Sequence, residues 1–171
     1  QSFDFDGLYY RLYTDQKEVL TEPYEFDSYD LNSDKMLLAV SPTAPLLKEG
    51  KTVGVIGIDM SLESYNEVTE IEEFEQGFAF LMSHDGTVVA HPDNSVVNQS
   101  IDSLAFARSI DIDLKDNLKS GEPISFVTYD DKLKSDVYVS FAPIPVGRSD
   151  KPWGVGIIIP FSEITESFIV I

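Results

Sequence analysis

Cysteine is absent from this 171-residue chain, which removes disulfide frameworks, thiolate metal sites and cysteine nucleophiles from consideration. The absence leaves the compartment open, because extracytoplasmic bacterial domains and cytosolic proteins alike can do without disulfides. Basic residues are scarce: 12 Lys and Arg stand against 30 Asp and Glu, a formal net charge of -18. Such a surface repels phosphate backbones and anionic head groups, so nucleic acid is not an expected partner. No run of about 18 apolar residues occurs, and the first residues lack a basic-then-apolar leader. Glycine-rich phosphate loops, serine elbows and His-Glu-x-x-His pairs are missing too. No catalytic residue and no cofactor is therefore expected.

What is present suffices for a folded core. With 43% apolar and 12% aromatic residues, enough surface can be buried to offset chain entropy. The length suits one medium domain or two small ones. In the first half, Leu8, Tyr9, Leu12 and Tyr13 lie on one stripe and predict a helix over Leu8 to Lys17, which Pro23 prevents from continuing. Leu37 to Val40 and Thr52 to Met60 read as strands. Pro42 to Gly50, with two prolines and a Lys-Glu-Gly turn, reads as the connection between them. Val53 to Asp59 is an apolar strand that ends in a carboxylate, and its glycines allow close approach of backbone or ligand. Ser61 then caps a helix with Glu63 in its first turn.

The second half, from Gly77, has a complete strand set of its own. Phe78 to Met82 is a strand, Ser83-His84-Asp85-Gly86 a tight turn and Thr87 to Ala90 the returning strand. The stripe Leu104, Ala107, Ile110, Leu114, Leu118 predicts one helix over Ser103 to Lys119, with Gly121 beyond its end. Strands follow at Ile124 to Tyr129, Asp136 to Pro143 and Trp153 to Pro160, the polar Asp130-Asp131-Lys132 turning between the first two. Together these make a five-stranded antiparallel α/β sheet flanked by helix. Ser162-Glu163 opens a terminal helix. Thr52 to Ser61 and Pro152 to Ser162 are both Gly-Val strands followed by a Ser-capped helix, which suggests a repeat of about 100 residues.

Gly54-Val-Ile-Gly-Ile-Asp-Met-Ser-Leu62 and Gly77-Phe-Ala-Phe-Leu-Met-Ser-His-Asp-Gly-Thr-Val-Val-Ala-His-Pro-Asp93 resemble the double CACHE family of PAS-like sensor domains. That family is known from chemoreceptors, sensor histidine kinases and diguanylate cyclases. The first stretch looks like the strand-to-helix exit of the membrane-distal subdomain, the second like the opening hairpin of the membrane-proximal one. The resemblance runs from about Tyr9 to Ser162. It implies that residues 1–66 are the C-terminal part of an incomplete distal subdomain, 67–162 a whole proximal subdomain and 163–171 the start of a helix leading toward the membrane. The opening helix and first strands of the family's distal subdomain have no counterpart before Tyr9. The apolar Phe168-Ile169-Val170-Ile171 fits the start of a membrane helix or the end of a buried strand or helix equally.

The same resemblance implies an extracytoplasmic ligand-sensing module of a membrane-anchored bacterial receptor, of the chemotaxis type or feeding a histidine kinase or diguanylate cyclase. In family members that bind amines or amino acids, an aromatic pair, a further Tyr and a strand-end Asp form the distal pocket. Tyr9, Tyr10, Tyr24 and Asp59 match those positions. A carboxylate flanked by aromatic faces suits an ammonium group. The family's amino-acid motif carries an arginine two residues before the aromatic pair, where this chain has Gly7, so an amine gains ground over a free amino acid. A ligand-free spacer or homodimerisation module is the alternative of a different class.

Blander readings stand beside these. Asp59 is either a ligand contact or an N-terminal cap, and Tyr9, Tyr10 and Tyr24 are either clamps or core aromatics. His84 and His91 do not have metal-ligand spacing, and no metal is expected. Asp30-Leu-Asn-Ser-Asp34 imitates the start of a calcium loop but has Lys35 where glycine is required and Ser41 in place of the closing acid.

Overall fold

The computed structural model describes residue 7, residues 12–27 and residues 36–166, and these divide into two compact units. One takes in the described residues up to Ser64 together with Pro145–Lys151; the other takes in Tyr65–Ile144 and the described residues from Pro152 onward. Leu8 to Arg11, Asp30 to Asp34 and Phe168 to Ile171 lie outside the described residues. No helix among the described residues is long and apolar enough to cross a membrane.

In the first unit residues 12–15 are helical. The helix stops before the expected Lys17 because Gln16 turns left-handed, with φ at +53°, the conformation that closes helices. Six strands follow: β1 (Val19–Leu20), β2 (Tyr24–Asp27), β3 (Met36–Val40), β4 (Pro42–Lys48), β5 (Lys51–Gly57) and β6 (Met60–Ser61). They form two antiparallel three-stranded sheets, ordered β1-β4-β5 and β2-β3-β6.

Two expectations need correction here. Pro42 to Gly50 is not a connecting loop. It is strand β4, paired with β5 from Thr43↔Gly57 to Lys48↔Lys51, and the turn is only Glu49-Gly50, both at positive φ. The prolines are tolerated because backbone groups alternate sides. Ser41 accepts the Thr21 N–H, so Pro45 faces that same side, beyond the end of the two-residue β1, where no ladder partner is required. The expected strand from Thr52 to Met60 also breaks, at Ile58-Asp59, so that β5 and β6 join different sheets. Beyond it, Ser61 Oγ accepts the Glu63 N–H at 3.3 Å, as a cap should, but Leu62–Thr69 is a 3-10 helix.

The second unit is built on the expected sheet. Its strands are β7 (Phe78–Met82), β8 (Val88–Ala90), β9 (Ile124–Asp130), β10 (Ser135–Ile144) and β11 (Trp153–Pro160). They are antiparallel throughout, in the order β8-β7-β11-β10-β9. The turn into β8 closes with Ser83 N–H donating to Thr87 O at 2.8 Å, and Gly86 supplies the positive φ of +87°. Along β10 alternate residues Val137, Val139 and Phe141 are fully buried, the period-two signature of a half-buried strand.

The single helix expected over Ser103 to Lys119 is three pieces: 3-10 turns at Ile101–Ser103 and Phe106–Ser109, then helix α1 (Leu114–Ser120). The β-branched Ile110 and Ile112 alternate with aspartates and favour extended backbone. Asp113, extended at φ −81° and ψ 103°, restarts the helix by accepting the N–H groups of Lys115 and Asp116. Gly121 ends it in the left-handed region, its N–H bonded to Leu118 O. Buried faces of these pieces, led by Ile101, Phe106 and Leu114, complete one core with Phe80, Met82 and Phe141. After β11, helix α2 (Phe161–Glu166) carries Glu163, which accepts the Gln76 N–H at 3.0 Å.

Candidate functional site

The candidate site sits where the strands of the first unit end. Tyr24 opens β2 opposite Ala39 of β3, and Ala39 is in turn opposite Ser61 of β6, with Val40 opposite Met60. Extending that antiparallel register by one step sets Ser41 against Asp59. Three side chains from three segments thus reach one point.

Their oxygens form a tight cluster. The Tyr24 hydroxyl donates to Asp59 Oδ1 at 2.9 Å, the Ser41 hydroxyl donates to the same oxygen at 2.6 Å, and the two hydroxyls are 2.6 Å apart. Ser41 is itself fixed: it is 5% exposed, and its N–H donates to Thr21 Oγ1 at 2.8 Å while its carbonyl accepts the Thr21 N–H. A buried hydroxyl backed by a buried threonine therefore orients an exposed carboxylate. All of the hydrogen bonds Asp59 makes with described residues use Oδ1. Oδ2 makes none of them, and on this exposed residue it is able to accept from a cationic or N–H-bearing group.

The geometry bears on the capping reading of Asp59. Capping of the following 3-10 helix is done by Ser61, and Asp59 takes no part in it. Tyr24 and Asp59 are brought together; Tyr9 and Tyr10 lie outside the described residues, so their relation to the pair is not part of this geometry. Ser41 and Thr21 are the members that sequence reasoning missed. A signal existed in Ser41, a lone hydroxyl directly after the apolar Leu37-Leu38-Ala39-Val40, where burial obliges it to find a partner.

The two histidines have separate surroundings. His91 is 6% exposed, rests edge-on against Phe78 at a ring distance of 4.9 Å, and accepts the Asp93 N–H on Nδ1 at 2.9 Å. Burial pushes its pKa down, opposed in part by the neighbouring Asp93 and Asp130. Asp93 is held well below the usual carboxylate range by Lys132 and Ser95.

Known proteins resemble this chain in sequence and fold. The family model described as Cache domain matches residues 3–168. The methyl-accepting chemotaxis protein PscA of Pseudomonas syringae pv. tomato is 27% identical over 142 residues, covering 82% of this chain and 20% of the receptor. The chain thus spans about a fifth of the length of that relative. Among solved structures, the ligand-binding domain of the Pseudomonas fluorescens chemoreceptor CtaA, in complex with L-isoleucine, superposes with a TM-score of 0.67 at 24% identity, covering 98% of this chain and 63% of that one. The extracellular domain of mmHK1S-Z3, assigned as a histidine kinase, gives a TM-score of 0.69 at 24% identity, over 90% of this chain and 53% of that one. These likenesses agree with a mixed α/β sensor fold of antiparallel sheets, and the match over residues 3–168 decides the family: the chain belongs to the Cache domain family, of the double Cache type.

Proposed function

We propose that this chain is the extracytoplasmic ligand-sensing module of a bacterial transmembrane receptor of the methyl-accepting chemotaxis type. In this reading the first unit is the membrane-distal subdomain, the second the membrane-proximal one, and the residues from 163 onward begin the helix toward the membrane. The module binds rather than catalyses. Its ligand is a small amine or amino-acid-like molecule whose ammonium group meets Asp59, with Tyr24, Tyr9 and Tyr10 providing aromatic faces.

The observation that carries the reading is the oriented carboxylate: Oδ1 of Asp59 is committed to Tyr24 and Ser41, so Oδ2 is presented in a fixed direction. A preoriented acceptor spares a ligand the cost of ordering it. L-Isoleucine in the CtaA complex supports the ligand class. With Gly7 where the family's amino-acid motif has arginine, L-isoleucine and its decarboxylated counterpart 2-methylbutylamine are the informative pair of probes. Titration calorimetry should show heat with the amine at least equal to that with the amino acid. Asp59→Asn should weaken binding by about tenfold to a hundredfold, the value of one charge-assisted hydrogen bond of roughly 1.5–3 kcal/mol, at an unchanged melting temperature. A sharp fall in melting temperature with undiminished affinity would make Asp59 structural instead.

One observation favours the ligand-free spacer reading. Val53, Ile56 and Ile58 are 64%, 57% and 65% exposed, an apolar face suited to a second copy. Sedimentation showing a tight dimer that neither probe perturbs would support it.

A further inference from the structure

The second unit, which does not contain Asp59, holds a cavity of about 590 Å³. Small-molecule sites have volumes of roughly 300–1,000 Å³ and mostly apolar walls with a few convergent polar groups. This cavity fits that description, with Phe78, Leu104, Phe106 and Ile158 on its walls. The His91 ring lies among them, and because Nδ1 accepts the Asp93 N–H, the neutral ring carries its proton on Nε2. No described residue accepts it.

The charged groups around the cavity fall into two sets. Asp130 is satisfied by the N–H groups of Lys132 and Leu133, both at 2.8 Å, and Asp93 is paired with Lys132. Asp131 is solvent-exposed. Arg108, by contrast, donates one N–H to the Ser103 carbonyl at 3.1 Å and forms no ion pair with a described residue. That is unexpected in a chain where 30 acids outnumber 12 bases. Next to it, the buried hydroxyl of Ser103 has no hydrogen-bond partner. A guanidinium without an ion pair, a stranded hydroxyl and an imidazole N–H stand around apolar walls; all are donors, and among the described residues the one acceptor they meet is the Ser103 carbonyl, which takes a single Arg108 N–H.

We propose that this cavity is a second ligand site, which takes a small carboxylate with an aromatic or branched aliphatic body, the carboxylate meeting Arg108 and the body lying against Phe78 and Phe106. The planar guanidinium matches a carboxylate in two parallel hydrogen bonds. This site stands independently of the amine-binding reading of Asp59.

The test is titration calorimetry on the 171-residue chain with 3-phenylpropanoate and 4-methylpentanoate, against 3-phenylpropanamide and acetate as probes lacking the charge or the body. Saturable binding of the two acids is expected, at least about tenfold weaker for the amide, as loss of one charge-assisted contact implies, and for acetate, as loss of the buried apolar body implies. Arg108→Gln should weaken acid binding by a similar factor, and because the side chain is exposed, the melting temperature should not move. Asp59→Asn should leave acid binding unchanged, which separates this site from the one in the first unit. Absence of saturable heat with both acids, equal binding of the amide, or undiminished binding by Arg108→Gln overturns the proposal.

Discussion

The two units of this chain solve the burial problem differently. In the second, Phe80, Phe106 and Phe141 are wholly buried in one cluster joined by Met82, Ile101 and Val139. In the first, the buried apolar side chains among the described residues are Leu12, Ala39, Val40 and Leu62. Its apolar stretch Val53 to Ile58 stays largely exposed. Stability should therefore concentrate in the second unit, while the first presents an ordered polar cluster at its strand ends. Sites that respond to ligands are drawn from the less stable parts of a fold, and the contrast fits a sensing role for the first unit.

The strongest way to break that contrast is to remove the centre of the second core. Phe80 is fully buried and its ring lies 5.7 Å from Phe106 and 6.3 Å from Phe141. Phe80→Ala should cost about 3–5 kcal/mol, the usual range for a buried phenylalanine, measured by urea denaturation. Val53→Ala, at 64% exposure, should stay within about 0.5 kcal/mol, as surface changes do. Equal costs would show that the first unit relies on its apolar strand far more than its burial implies.

A subtler change to the same core is Gly156→Ala. Gly156 pairs with Phe80 on one side and Phe141 on the other, and a methyl group there would stand 2.1 Å from Phe80 Cζ. The stacked ring cannot swing aside without disturbing its neighbours, so about 1–3 kcal/mol of overpacking is expected. The corresponding change at Gly54 in β5 meets only Leu46 Cδ1 at 3.5 Å, ordinary contact, and should be close to neutral by the same denaturation assay.

How much of this was legible in the sequence depended on how local the determinant was. The five strands of the second unit were, because each alternates or runs apolar between clear turn residues, and Asp85-Gly86 marks its hairpin. The helix over Ser103 to Lys119 was misjudged because a stripe at helical spacing survives when 3-10 turns and an extended link replace regular helix. Strand β4 was hidden by Pro42, which stands at the first position of the strand, and by Pro45, whose tolerance depends on the short extent of β1, a tertiary fact. At the candidate site, Tyr24 and Asp59 are expected from the family resemblance, and the structure brings the two side chains together. For Ser41 the apolar run before it signals burial, but its partner follows from a cross-strand register that no local pattern encodes.

Acid should sharpen the comparison from another direction. The buried His91 resists protonation in the folded state, with a pKa lowered first by burial and then by Lys132. The unfolded chain takes up that proton as pH falls below about 6.5, the ordinary histidine value. Folded stability from this group is thus complete above that pH and declines below it. Asp93, whose pKa is depressed, acts only at lower pH, as carboxylates protonate below about 4. Between pH 7.5 and 5.5 the wild-type denaturation midpoint should fall more than that of His91→Gln. Parallel slopes for the two proteins would mean that His91 titrates alike in both states.

The smallest effect is expected at the segment that returns to the first unit late in the chain. Glu18 accepts the Arg148 N–H at 2.8 Å on one carboxylate oxygen and its guanidinium at 2.7 and 3.0 Å on the other, and Lys17 pairs with Asp150 at 2.7 Å. Lys17, Arg148 and Asp150 are open to solvent and Glu18 is half-buried, a setting in which ion pairs gain little and salt screens them. Yet the geometry is specific, because Gly147, at φ +54°, passes so near that an added Cβ would sit 2.7 Å from the Glu18 carboxylate. Glu18→Gln removes the charge while keeping an oxygen for the backbone N–H. It should leave the melting temperature within error of the wild type but speed hydrogen exchange at the Arg148 amide, an increase that shrinks as salt is added because the wild-type pair is itself weakened. Unchanged exchange at low salt would show that the loop is positioned by its backbone alone.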